Sequence, residues 1–221
     1  MILPPWSFSH LNTWLTCPHQ YAHKYVLRDL PSEPQSEAMK WGNTVHEAFE
    51  ARLSGWETYD REMFKPYERY AKALDNVQKH VEVKLGIKAD GFPCDFFDPQ
   101  VWGRGKLDVV VVNTHHPVAV VIDWKTGRVW EDPFELAVHG LLLKAHWPHV
   151  KSIQARYCWL KEGRLGEPYD VSDTQTTRDK IKVMVGAMEQ QLAAKEWPKR
   201  RNPLCRWCPV VSCEYNERGK K

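Results

Sequence analysis

Cys17 near the amino end and Cys205, Cys208 and Cys213 near the carboxyl end, the last three spaced C-x2-C-x4-C, form a set of four soft thiolate ligands. Such a set can hold either a [4Fe–4S] cluster or a structural Zn²⁺. Zinc sites built from two cysteine pairs usually take both pairs as C-x2-C, whereas here one ligand comes from nearly the far end of the chain. Closing so long a loop restricts the unfolded ensemble, so a metal centre on these residues would matter for folding. The steps Cys17-Pro18 and Cys208-Pro209 each follow a ligand with a residue that lacks an amide and stiffens the backbone. Cys94 and Cys158 have no such neighbours, and Cys158, in an apolar run, reads as core.

A second constellation lies between these ends and is made of hard ligands. Asp108 interrupts the apolar run Leu107, Val109–Val112, and Asp123 closes the run 118–122. A carboxylate in so apolar a strand is costly unless its charge is compensated. A divalent cation would compensate both, and Mg²⁺ or Mn²⁺ prefers such oxygen ligands. Lys125 stands two residues after Asp123, so both point to one face of a strand. An ammonium there can neutralise developing charge or act on an attacking water beside the metal. Trp124 faces the other way, into packing, while its carbonyl can still reach the metal. A lone D-x-K usually means an ion pair at a strand end; here it ends an apolar strand and follows a second strand carrying Gly105-Lys106-Leu107-Asp108. His46 lies one helical turn after Gly42, on the same face. The glycine would let that helix approach another backbone, and the imidazole could complete the metal shell. By itself such a histidine is more often structural than ligating.

The elements that must position these residues follow from periodicity and breakers. Ser7 or Ser9 can cap a helix to about Tyr25, broken near Cys17 by Pro18. Residues 29–37 read as a loop. Helices are expected over about 39–53 and 61–85, and residues 86–100, with Gly86, Gly91, Pro93 and Pro99, as irregular. Residues 101–112 and 118–124 are dense in β-branched side chains and read as a hairpin. A helix capped by Asp132 should run over 133–147, a third strand over 154–160, and a long helix from Asp173 or Thr174 to about Glu196. This order gives a mixed α/β core with a helical front end and a sheet of at least three strands.

Composition sets the bounds. At 221 residues and 43% hydrophobic content, the chain suits one sizeable domain. No apolar run approaches the roughly 20 residues of a membrane span, and the first residues lack the pattern of a signal peptide. A cytoplasmic location is the expectation, and six cysteines there point to metal before disulfides. Net charge is +3, but residues 195–221 carry eight basic and three acidic side chains, a local +5 that could lie along phosphates. Two chemistries are excluded. Glu50 stands where a zinc-protease H-E-x-x-H motif starting at His46 needs histidine. Leu107 after Gly105-Lys106, with Gln100 in place of the first glycine, rules out a phosphate-binding loop.

Taken in order, these residues resemble the RecB-type branch of the PD-(D/E)xK nuclease superfamily. They resemble more closely its iron–sulfur exonucleases, which include the CRISPR-associated RecB-like nucleases and the AddB nuclease domain. The resemblance runs from Ser9 to Cys213. Ser9-His10-Leu11-Asn12-Thr13-Trp14 with Cys17-Pro18-His19-Gln20-Tyr21 is similar to the first cysteine segment, and Gly42-Asn43-Thr44-Val45-His46 to the G-x-x-x-H motif. Gly105-Lys106-Leu107-Asp108 is similar to G-x-x-D, Asp123-Trp124-Lys125-Thr126-Gly127 to D-x-K-T-G, and Cys205, Cys208 and Cys213 to the trailing cysteines.

The resemblance implies a restriction-endonuclease-like α/β fold: a mixed central sheet flanked by helices, with a helical N-terminal part and a C-terminal cluster-binding tail. It implies a single nuclease domain over 1–221, with the core at 39–196 and residues 1–30 and 197–221 jointly forming the cluster module. His46, Asp108, Asp123 and the Trp124 carbonyl would hold Mg²⁺ or Mn²⁺, Lys125 would act with Asp123 and Asp108, and the four cysteines would hold a [4Fe–4S] cluster. The family's Q-x-x-x-Y is replaced by Glu135-Leu136-Ala137-Val138-His139. A glutamate repels phosphate unless it faces the metal or a base, which brings Glu135 into the catalytic set, and His139 is less of an aromatic platform than tyrosine. The expected activity is exonucleolytic hydrolysis of single-stranded DNA or DNA ends, in a prokaryotic or phage-infected cytosol, with Trp102, Trp124, Trp130 and Trp207 able to stack bases. The size suits a bacteriophage or a prokaryotic defence locus. Two other readings stand beside it. One is a DNA-binding or end-processing subunit that works with recombination or CRISPR-adaptation proteins and has little activity alone. The other is a zinc-stabilised interaction module. Relatives form rings and dimers, so oligomers are open here too.

Overall fold

In the computed structural model, residues 2–31 and 34–217 are described. Arg218, Lys220 and Lys221 of the basic tail, and Ser32 and Glu33 of the expected loop, lie outside them. The helices are α1 (Phe8–Thr16), α2 (Pro18–Tyr21), α3 (Glu37–Ser54), α4 (Arg61–Phe64), α5 (Glu68–Lys72), α6 (Pro133–His146) and α7 (Thr174–Ala194), with a π-helical turn over Ala22–Leu27. The strands are β1 (Lys79–Ile87), β2 (Pro93–Cys94), β3 (Gly103–Val112), β4 (Val118–Lys125), β5 (Ser152–Trp159), β6 (Arg164–Leu165) and β7 (Tyr169–Asp170). Among the described residues, no helix is long and apolar enough to cross a membrane.

The strands form one mixed sheet in the order β2-β1-β3-β4-β5-β6, with β7 pairing β5. Helices flank it, as expected. The β3–β4 hairpin is antiparallel, in the register Val109↔Ile122 to Val112↔Ala119. Strands β4 and β5 are parallel, Asp123 beside Tyr157, and α6 supplies the long crossover that a parallel pair needs. Asp132 caps α6 by accepting from the Phe134 amide at 3.0 Å.

One expectation fails. Residues 61–85 are not a single helix: the helical turns end at Lys72, and Lys79–Ile87 is a strand paired with Gly103–Val111 of β3 except at Asp108. Asp75 and Asn76 are turn formers. After them Val81, Val83, Leu85 and Ile87 alternate with polar residues at the strand period of two. The ladder with β3 then decides, because it supplies backbone partners that an isolated amphipathic helix would not. Cys94, expected in an irregular stretch, lies in the two-residue β2.

Chain contacts divide the molecule into two compact units, residues 34–177 and residues 1–33 with 178–221. The first unit holds the sheet. There Val45, Ala48 and Phe49 of α3 pack on Val109, Trp124 and Cys158, and the Phe49 and Trp124 rings stack at 4.4 Å. Full burial of a side chain the size of Val45, Val109 or Phe49 contributes about 1.5–3 kcal/mol. This packing fixes the helix that carries His46. At Gly42 a side chain would meet Thr126 Oγ1 at 3.3 Å, so the glycine permits the close approach of α3 to the end of β4.

In the second unit Ser7 caps α1, and Cys17 stands in extended conformation between α1 and α2, with Pro18 opening α2. That is the break the sequence anticipates at this step. The π-helical turn that follows has no signal in the residues.

Candidate functional site

Strand β4 delivers Asp123, Trp124 and Lys125 at its carboxyl end, next to Asp108 in the middle of β3. Of the expected metal ligands, the structure groups His46 with Asp108, adds Glu82, and leaves Asp123 outside the set. His46, Glu82 and Asp108 form a set whose ligand atoms all lie within 4.8 Å of one another. Glu82 is not among the residues the sequence marks out, because its segment reads as helix. It sits opposite Asp108 in the β1–β3 register, where that pair is missing from an otherwise unbroken ladder. Its φ is +50°, a left-handed conformation that costs an ordinary side chain about 1–3 kcal/mol and tends to mark functional sites. The signal was an acidic residue in the alternating run His80-Val81-Glu82-Val83-Lys84-Leu85.

The distances define how this site is held. His46 Nδ1 lies 3.3 Å from both Glu82 Oε1 and Asp108 Oδ1, and its Nε2 lies 3.2 Å from the Trp124 carbonyl oxygen. The Trp124 amide donates to Asp108 Oδ2 at 2.7 Å. Lys106 pairs with Glu82. Both nitrogens of His46 thus face acceptors, which suits the imidazolium. Burial alone would lower its pKa, but the carboxylates of Asp108 and Glu82 outweigh burial and push it up to about 10. Burial would raise Glu82, and His46 and Lys106 reverse that to hold it below the usual carboxylate range.

Lys125 stands on the other flank. Its ammonium donates to Glu135 Oε1 at 3.1 Å and lies 2.7 Å from Asp123 Oδ2. The latter is an ion pair that places the ammonium directly against a buried carboxylate oxygen. Burial and the nearby Asp108 raise the Asp123 pKa, against Lys125 and His139. The Lys125 pKa is raised: burial lowers it, and the Asp123 and Glu135 charges more than offset that.

These features fit a hard divalent cation. Two carboxylates, a histidine and a main-chain carbonyl converge, while Asp123 lies outside that set, with its buried carboxylate beside Lys125. Trp124 contributes only through its backbone. Its ring is 2% exposed and stacked on Phe49, so it cannot stack a base. His139 is buried, with Nδ1 unpartnered, and offers no platform to a nucleic acid. Trp130 and Trp207 are exposed.

The proton on His46 has a measurable consequence. To become a ligand, the imidazole must give up that proton. Metal binding near pH 7 should therefore release close to one proton, seen by calorimetry in buffers of different ionisation enthalpy. The sign for stability follows from the raised pKa. The contribution of His46 to the metal-free protein is full below about 6.5 and is lost as pH climbs through 10. Melting in EDTA should fall across that window, and a flat profile would contradict the assignment.

In the other unit the four cysteines Cys17, Cys205, Cys208 and Cys213 line one small cavity. None forms a disulfide. The Asn202 side-chain amide donates to the Thr16 carbonyl at 3.3 Å, and the His19 amide donates to the Pro198 carbonyl at 3.2 Å. These tie the Cys17 segment to the carboxyl end. Asn216 is buried and donates to the Cys208 and Val210 carbonyls, both at 2.9 Å, which shapes the C-x2-C-x4-C turn. Burial raises the Cys208 thiol, and the neighbouring Cys17, Cys205 and Cys213 add to this against a backbone hydrogen bond. Cys158 is core, its thiol pushed up to about 12 by burial.

The family model of the PD-(D/E)XK nuclease superfamily matches residues 5–93 and 61–213. No curated protein matches the sequence. A solved structure described as "Crystal structure of SSO0001" is similar with a TM-score of 0.43 and 14% identity, over 93% of this chain and 85% of that one.

Proposed function

Because this chain belongs to the PD-(D/E)XK nuclease superfamily, we propose that it is a metal-dependent exonuclease acting on single-stranded DNA or DNA ends, with a structural [4Fe–4S] cluster. The superfamily implies metal-dependent hydrolysis of DNA; the exonucleolytic mode, the strand preference and the cluster are this reading's own. The observation that carries it is the placement of Lys125 between Asp123 and Glu135, on the strand end whose carbonyl meets His46.

In this reading His46, Asp108, Asp123 and the Trp124 carbonyl hold Mg²⁺ or Mn²⁺, with Glu82 as a further oxygen ligand. The cation, when bound, polarises a phosphoryl oxygen and makes a bound water more acidic. Lys125 supplies the second positive charge. Its raised pKa keeps it an ammonium at neutral pH, so it serves to stabilise negative charge on phosphate rather than to take a proton. Asp123 and Glu135 fix its position. Lys106, on the rim of the same cleft as His46 and Asp108, can approach a neighbouring phosphate once Glu82 turns to the metal.

For the cysteines, the support is that all four line one small cavity and that their order along the chain resembles the cysteine segments of iron–sulfur nucleases; four such thiolates are what a [4Fe–4S] cluster requires. Together the two units would work as a single nuclease domain in a prokaryotic or phage-infected cytosol.

The decisive experiment compares linear, end-labelled single-stranded DNA with a circular single strand, using protein purified without oxygen, in Mn²⁺ and in EDTA. Degradation of the linear strand only, and only with metal, is expected. Cutting of the circle would make the protein an endonuclease. Inactivity of folded, iron-loaded protein would favour the second reading, a subunit working within a recombination or CRISPR-adaptation assembly. That alternative draws on the departure at Glu135 and on the burial of His139.

A further inference from the structure

Tyr157 sits in β5 directly beside Asp123 in the parallel register of β4 and β5. It is 1% exposed, and a tyrosine buried so deeply needs a partner for its hydroxyl. The hydroxyl lies 2.8 Å from Glu135 Oε2 and 2.9 Å from the Asp132 carbonyl. The other oxygen of the same glutamate, Oε1, takes the hydrogen bond from Lys125 at 3.1 Å. The face of the Tyr157 ring lies 5.3 Å from Lys125 Nζ, within range of a cation–π contact. Phenylalanine would fill the same space and pack equally on Trp159. What the hydroxyl adds is a hold on Glu135, which is set in the first turn of α6 and whose other side-chain hydrogen bond among the described residues is to Lys125 itself.

We infer that Tyr157 is a positioning residue for Lys125: its hydroxyl locks Glu135 in the rotamer that holds the ammonium beside Asp123, while its ring supports the ammonium from below. This rests on the nuclease reading for its consequence in turnover, though not for the geometry. It assigns to β5 a part in the site that no motif at positions 154–160 announces. The bland alternative is a core tyrosine whose hydroxyl merely secures the start of α6 through the Asp132 carbonyl.

The test is Tyr157→Phe, which keeps the ring, together with Glu135→Ala and the double variant. With single-stranded DNA and Mn²⁺, Tyr157→Phe should lower kcat about tenfold, the usual consequence of losing one buried hydrogen bond, with KM and Mn²⁺ affinity unchanged within twofold. In the Glu135→Ala background the same change should add little, because the hydroxyl acts through the carboxylate. A wild-type kcat in Tyr157→Phe, or losses that multiply in the double variant, would overturn the inference. A second readout needs no nuclease activity. In metal-free protein, Lys125 should react faster with a water-soluble acylating reagent in Tyr157→Phe than in wild type, followed by peptide mass spectrometry. Equal rates count against the inference. Should the wild type fail to cleave DNA, the nuclease reading falls, and the acylation rates still decide the role of Tyr157.

Discussion

Lys125→Ala should reduce Mn²⁺-dependent DNA cleavage by about 10²- to 10³-fold, the usual cost of removing one preorganised charge from a site where negative charge develops. The ammonium stands 2.7 Å from Asp123 and 3.1 Å from Glu135, so its loss leaves two carboxylates facing one another with Asp108 close by. Two further consequences follow from that charge balance. Without metal, the variant should melt lower than wild type, because a buried carboxylate has lost its neighbouring cation. With Mn²⁺ the difference should shrink, since the metal supplies the missing charge. Metal affinity should hold or rise while turnover collapses, and that separates a lost catalytic charge from a lost fold. Cleavage within fivefold of wild type would remove Lys125 from the mechanism and, with it, the main support for the proposed assignment.

The parts of this site that were legible in the sequence were those whose meaning is local. Asp123 and Lys125 share a strand face by a period of two, and both lie at the end of a run too apolar to be anything but a buried strand. Gly42 and His46 share a helix face by a period near 3.6, and the glycine does bring α3 close to Thr126. The parts that were not legible depend on pairing across the chain. Glu82 enters the site only because β1 is paired with β3, and the segment before it carries enough charged and apolar residues to pass for helix until Gly86. Its left-handed backbone leaves no mark in the residue type; asparagine or glycine would have given a hint there, glutamate gives none. Tyr157 could be read as a core residue of an apolar strand, but its place beside Asp123 comes from the register of two strands joined through α6. His139 stands where the family's motif has tyrosine, one turn after Glu135, and reads as a weaker platform for DNA. That turn faces Asp123 and the sheet, and burial removes it from any such contact.

If the four cysteines hold the proposed iron–sulfur centre, replacing Cys208 with serine should abolish it and lower the melting temperature by on the order of 10 °C. The first effect follows from ligand chemistry, since a cluster of this type is held by four thiolates and serine is a poor substitute for a soft ligand. The second follows from topology. Cys17 and the trailing cysteines are nearly a chain length apart, and a centre that joins them removes a large loop from the unfolded ensemble. A link over about 100 residues is worth roughly 4–5 kcal/mol in the chain-entropy model, and each kcal/mol moves the midpoint of a chain this long by about 2–4 °C. The hydrogen bonds from Asn202 to Thr16 and from His19 to Pro198 remain in the variant, so the tail should stay near its place while losing its fixture. Cys94→Ser is the matched control, because Cys94 lies outside the cavity lined by the other four and should change neither iron content nor melting. Iron and acid-labile sulfide per chain, read with the visible absorbance, decide the first effect. If wild-type protein purified without oxygen carries one zinc and no iron, the cluster is wrong and the same four thiolates hold a zinc. If Cys208→Ser keeps full iron and full stability, these cysteines are not ligands, and their spacing has another cause.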